Sequence, residues 1–180
     1  ILSVAGIPFD EIKKLERLVL KKYKKKLILI YGFQLEPTQI YENNFLKLKA
    51  LKDNFKDYSF GFMDHSHGGK KEALYTSLLA LSCGVKLIEK HFTLNRKEKI
   101  EDYISGLSKN DFKKFIEIIR FYEQSLGKYS LKLSDSEKAY SSKALKVVVA
   151  KRDILKNKLL KKKDLSLKRS GYKSKKNNLF

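Results

Sequence analysis

Phe60-Gly61-Phe62-Met63-Asp64-His65 and Leu87-Ile88-Glu89-Lys90-His91-Phe92-Thr93 are the stretches whose reading decides the fold. Each is a short apolar run of strand character that reaches a histidine beside a carboxylate. Between them Leu74, Leu78 and Leu81 follow the helical period. A strand-helix-strand crossover returns the second strand parallel to the first. His65 and His91 are therefore expected side by side at the carboxyl ends of neighbouring strands, where α/β folds do their chemistry.

Outward from this unit the alternation continues. Ile12, Leu15, Leu18 and Val19 have helical spacing, and Leu27 to Gly32 is a continuous apolar run suited to a strand covered on both faces. Phe45, Leu48, Leu51 and Phe55 predict the next helix. Phe112, Phe115, Ile118, Ile119, Tyr122 and Leu126 predict another, begun by polar Ser108 to Asp111 and ended by Gly127. Ile1 to Val4 reads as the end of one more strand. The class is α/β with a parallel sheet, either half of an eightfold barrel or a truncated doubly wound sheet. After Gly127 the character changes. Ser134-Asp135-Ser136-Glu137 has capping-box spacing, and Val147 to Ala150 is a β-type run. The remainder, lysine-rich and ending at Lys173 to Phe180, is too small for a core of its own.

The formal net charge is +20. Arginine, the preferred bidentate reader of bases and phosphates, occurs only at Arg17, Arg96, Arg120, Arg152 and Arg169. The excess is lysine on polar helix faces and in turns, which reads as a solvated surface and not as a nucleic-acid footprint. Cys83, the single cysteine, excludes an internal disulfide and suits a reducing compartment, so a cytoplasmic location is expected. No apolar run approaches the ~20 residues a membrane helix requires. A chain beginning at Ile1 inside an apolar segment is expected to be a fragment.

Two strand-end histidines flanked by Asp64 and Glu89 can hold a divalent metal; a structural hydrogen-bonding role is the alternative. Asp64 and Glu89, the candidate catalytic carboxylates, would orient the imidazoles or pair with Lys90. Glu36 lies near the same rim, or is a turn residue held extended by Pro37. His67, with Ser66, Gly68 and Gly69, reads as a polar loop residue.

At these residues the chain resembles the sialic acid synthase family, the phosphoenolpyruvate-dependent enzymes that make N-acetylneuraminate and related nonulosonic acids. The resemblance runs from Leu2-Ser3-Val4-Ala5-Gly6 through Pro37-Thr38, Asp64-His65, Glu89-Lys90-His91-Phe92-Thr93 and Asp102 to Lys168-Arg169-Ser170-Gly171. It implies the C-terminal part of a (β/α)8 TIM barrel over residues 1–128, a linker over 129–144, and a partial antifreeze-like (SAF) domain over 145–180. It also implies that His65 and His91 hold manganese or magnesium, which polarises the aldehyde of an amino sugar attacked by carbon 3 of phosphoenolpyruvate. Asp102 is expected to bind sugar hydroxyls, and Arg169 to reach the sugar, usually from the partner subunit of a homodimer. Ser3 corresponds to a hydroxyl near the phosphate, and Gln34 and Glu36 to an amide and a tyrosine around the acylamino group. Met63 departs from a phosphate-contacting serine, Glu36 from the tyrosine, and Lys99-Ile100-Glu101-Asp102 from a Pro-Gly-Pro-Asp type loop. An inactive barrel fragment, a basic interaction module, or the same condensation on another sugar aldehyde are the alternatives.

Overall fold

Strand-length and helix-length patterns alternate in the structure as they do in the sequence. The computed structural model describes residues 1–169 and divides the chain into two units, Ile1–Gly127 and Lys128–Phe180. The first unit runs β1 (Leu2–Ser3), α1 (Phe9–Leu18), β2 (Ile28–Tyr31), α2 (Phe45–Asn54), β3 (Ser59–Asp64), α3 (Glu72–Ser82), β4 (Leu87–Lys90) and α4 (Lys109–Glu123). All neighbouring strands are parallel, in the order β1-β2-β3-β4. That order never reverses among the described residues, so no switch point of a doubly wound sheet falls within it.

Strand period puts alternate residues on opposite faces. Leu29, Tyr31, Phe60 and Phe62 bury themselves against Ile12 of α1, Leu48 and Leu51 of α2, Phe55, and Ala80 of α3. Ile88, partnered with Phe62, extends this face toward Phe115 and Ile119 of α4. Fully burying one such aromatic is worth ~1.5–3 kcal/mol. Ile30, Gly61 and Leu87 share the opposite, helix-free face, since a Cβ on Gly61 would lie 3.1 Å from Ile30 Cγ1 and 3.2 Å from Leu87 Cβ. Met63 and Glu89 are partners one step further along the strands. His65 and His91 continue that alternation.

The helices start where the sequence supplies acceptors. Ser108 Oγ accepts from Asp111 N at 3.3 Å ahead of α4, and Asn44 Oδ1 accepts from Lys47 N at 3.1 Å ahead of α2. One pairing has no sequence signature. Phe92 and Leu107 form an isolated parallel bridge, with Leu107 N donating to His91 O and Thr93 N to Leu107 O, each at 2.9 Å. It folds the segment between them back over the ends of β3 and β4.

In the second unit, Ser134 and Glu137 form the expected capping box at the start of α5 (Asp135–Ala144). β5 (Lys146–Ala150) pairs antiparallel with β6 (Leu165–Arg169), a partner the pattern did not announce. Buried Asp164 accepts from Arg152 Nε at 3.1 Å, closing the turn between them. Ser170, Gly171 and the stretch Lys173 to Phe180 lie outside the described residues. Among the described residues no helix is long and apolar enough to cross a membrane.

Candidate metal centre

The register of β3 and β4 sets Asp64 beside Lys90, and the next residues, His65 and His91, stand side by side with ring centroids 4.9 Å apart. The His65 backbone is held from two directions. Its carbonyl oxygen accepts from Thr38 N at 3.0 Å and from Ser105 Oγ at 2.9 Å. The residue is 6% exposed, and its Nδ1 is buried with no hydrogen-bond partner. Ser66 Oγ and Thr93 Oγ1 are likewise buried and unpartnered. Unpaired buried polar atoms are rare in folded proteins; among the described residues there are four, and three of them belong to His65, to Ser66 beside it, and to Thr93 two residues after His91, the fourth being Asn43 Oδ1.

Glu36 arrives from the loop after β2. Gly32 lets that loop approach β3, because a Cβ there would lie 2.9 Å from Met63 Cβ and closer still to its carbonyl oxygen. The Thr38 hydroxyl, 2.7 and 2.8 Å from the carbonyl oxygens of Phe33 and Leu35, then fixes the loop's shape. The result sets Glu36 Oε1 3.5 Å from His91 Nε2. Asp102, in the left-handed conformation at φ +61°, sets Oδ2 3.6 Å from the other ring nitrogen of His91. Its loop is braced by Arg96, whose Nη1 donates to Tyr103 O at 2.8 Å and also to Gly106 O.

Glu36, His65 and His91 each offer one ligand atom, all within 4.8 Å of one another. Burial, reinforced by the charge of Asp102, holds the Glu36 carboxyl above its ordinary range, against the opposing pull of His91. Burial holds His65 below the ordinary value of 6.5, helped by His91 and Lys90 and opposed by Asp64 and Asp102. A neutral imidazole with a buried lone pair, a second imidazole and a carboxylate make a donor set that suits a divalent ion.

Asp64 faces away from this group. Its Oδ1 accepts from Lys90 Nζ and Ser66 N, both at 2.9 Å, and its Oδ2 from Ser77 Oγ at 2.7 Å. Lys90 Nζ also donates to Ser66 O at 3.3 Å. Of the two roles open to Asp64, the geometry has the pairing with Lys90, and that pairing secures the strand end carrying His65. Glu89 is exposed on the helix-free face, on the last strand of the sheet, and Ser3 is exposed on the first. Gln34 donates from Nε2 to Met63 Sδ at 3.6 Å. Arg169 belongs to the second unit, opposite Lys146. His67 Nδ1 accepts from Gly69 N at 3.1 Å, a turn-holding role.

Sequence reasoning missed Ser105, Arg96 and the bracing role of Thr38. Only Thr38 had a signal, the Pro37-Thr38 pair; the other two act through the path of a loop that no local pattern encodes.

The NeuB family model matches residues 1–130. The N,N'-diacetyllegionaminic acid synthase of Campylobacter jejuni is 30% identical over 171 residues, covering 94% of this chain and 49% of that protein. A pseudaminic acid synthase of the same species is 28% identical over 165 residues, covering 92% of this chain and 44% of that protein. Among solved structures, the N-acetylneuraminic acid synthetase of Leptospira borgpetersenii in complex with citrate superposes with a TM-score of 0.68 at 25% identity, covering 77% of this chain and 46% of that one. The chain spans about half the length of the curated relatives it matches.

Proposed function

Because the chain belongs to the NeuB family, we propose that it works as the later barrel portion of a synthase joining phosphoenolpyruvate to an N-acylated amino-sugar aldehyde. The product is a nonulosonic acid for surface polysaccharide. Carbon 3 of phosphoenolpyruvate bonds to the aldehyde carbon, water adds at carbon 2, and phosphate leaves. The single observation supporting this most strongly is the pair of adjacent imidazoles, His65 and His91, at parallel strand ends among unpartnered buried polar atoms.

A manganese or magnesium ion bound by these histidines supplies Lewis-acid polarisation of the aldehyde oxygen. Asp102 orients the His91 ring through Nδ1 and has an oxygen left for a sugar hydroxyl. Glu89, exposed on the helix-free face, is available to the reacting groups, whereas Asp64 acts through the strand end it secures. Ser3 and Gln34 lie on or follow strands of the same sheet and are assigned to the phosphate and the acylamino group. Arg169 is assigned to the sugar, delivered by the second unit of the other protomer of a homodimer.

The unreversed strand order with helices on one face supports a barrel portion completed by further strands, and the second unit is read as the start of an antifreeze-like domain. A cytoplasmic location goes with this reading, and the 180-residue chain alone is expected to be poorly folded and to give no turnover. The test is phosphate release by the complete protein with phosphoenolpyruvate, manganese and N-acylated sugars such as N-acetylmannosamine. Release should need both substrates and vanish in His65→Ala and His91→Ala. Release unaffected by either substitution, or absent with every N-acylated sugar offered, would reject the assignment.

A further inference from the structure

His91 has one carboxylate near each ring nitrogen, and the two carboxylates are themselves neighbours, so that the charge of Asp102 raises the Glu36 carboxyl. Asp102 stands at Nδ1, 3.6 Å away, and Glu36 at Nε2, 3.5 Å away. With the Nδ1 proton turned toward Asp102, the Nε2 lone pair faces the oxygen of Glu36. Two lone pairs at that separation repel unless a cation lies between them.

We propose, on the reading that His65 and His91 hold a divalent ion, that Glu36 is its third protein ligand, so that the centre is a two-histidine, one-carboxylate site.

The distances suit a shared ion. Two ligands each ~2.1 Å from one ion and at right angles lie about 3 Å apart. Glu36 and His91 are within about half an ångström of that separation, and the ligand atom of His65 completes a set no more than 4.8 Å across. A fixed loop also sets the carboxylate in place. Thr38 N donates to the carbonyl oxygen of His65, so the segment carrying Glu36 is tied to the backbone of another ligand, and the Thr38 hydroxyl fixes the turn from Phe33 to Leu35. A ligand held by such bracing loses little freedom on binding. Around the cluster, His65 Nδ1 is buried without a partner, the kind of orphaned donor or acceptor a bound ion accounts for.

Two imidazoles with one carboxylate favour a first-row transition ion over magnesium, which prefers an all-oxygen shell. Glu36 is thereby taken out of contact with the acylamino sugar and given to the metal. It also lowers the net charge of the loaded centre by one.

Isothermal titration of the metal-stripped complete protein with manganese chloride, with circular dichroism as the control for folding, separates the possibilities. The wild type should bind one manganese ion per chain. Glu36→Gln keeps the shape and removes the charge, and should weaken binding about tenfold or more. Glu36→His supplies a different ligand atom at the same place and should restore most of the affinity, which a merely structural glutamate would not allow. Unchanged affinity in Glu36→Gln alongside loss in His91→Ala would overturn the Glu36 assignment and leave the two-histidine reading standing. Failure of the wild type to bind manganese would overturn both readings.

Discussion

Two carboxylate clusters sit on opposite faces of the same two strand ends, and they are built on opposite principles. Asp64 and Lys90 are 0% and 2% exposed at the side chain, and every oxygen of Asp64 is engaged by Lys90, Ser66 or Ser77. Glu36, His91 and Asp102 are partly exposed, the two carboxylates standing 3.5 and 3.6 Å from the His91 nitrogens, and the neighbouring His65 keeps a buried unpartnered nitrogen. The first cluster is complete without a ligand, and the second is not. A site that must hold an ion in a fixed place needs both, a saturated layer that cannot shift and an unsaturated one that can accept.

The largest expected effect tests the saturated layer. Lys90→Met removes the cation and leaves the buried Asp64 carboxylate uncompensated, and breaking such a pair costs about 3–5 kcal/mol. Chemical denaturation of the complete protein should register that loss, whereas Glu36→Gln should leave the same curve almost unmoved. Equal losses in the two variants would erase the distinction between the clusters.

A smaller effect is expected beside the unsaturated layer. Met63 stands where the resemblance places a phosphate-contacting serine, and its sulfur is a weak acceptor for the amide of Gln34. Restoring the hydroxyl by Met63→Ser should lower the KM for phosphoenolpyruvate, by no more than the ~1.5–3 kcal/mol of a hydrogen bond to a charged group. A KM that stays or rises would mean that the phosphate is placed by other groups.

The smallest effect concerns protons. His65 is held below its ordinary value of 6.5, chiefly by burial, so the unfolded chain takes up that proton first as the pH falls. The stability contributed by neutral His65 is therefore fully present above 6.5 and is lost as the pH drops below it toward the folded value. Without added metal, the Tm of the wild type should fall more steeply than that of His65→Gln between about pH 7.5 and pH 5.5. Parallel slopes would show that burial of His65 has no energetic weight.

Local periodicity determined the alternation of strands and helices, the parallel sheet, and the placing of His65 and His91 at one end of it. These follow from the chain's immediate sequence, because period 2 and period 3.6 are properties of neighbours. The capping box at Ser134 and Glu137 was legible for the same reason, since a helix start is set within four residues. Partners were another matter. The sequence offered Asp64 and Glu89 alike as candidates for Lys90; the register Asp64↔Lys90 and the approach of Ser77 from α3 gave the pair to Asp64 and left Glu89 exposed. Glu36 and Asp102 reach His91 along loops whose course depends on Thr38, Gly32 and Arg96 finding contacts distant in sequence. Where a strand ends is written beside it; which side chains meet beyond that end is decided only when the loops close, because their conformation is fixed by hydrogen bonds between segments far apart in the chain.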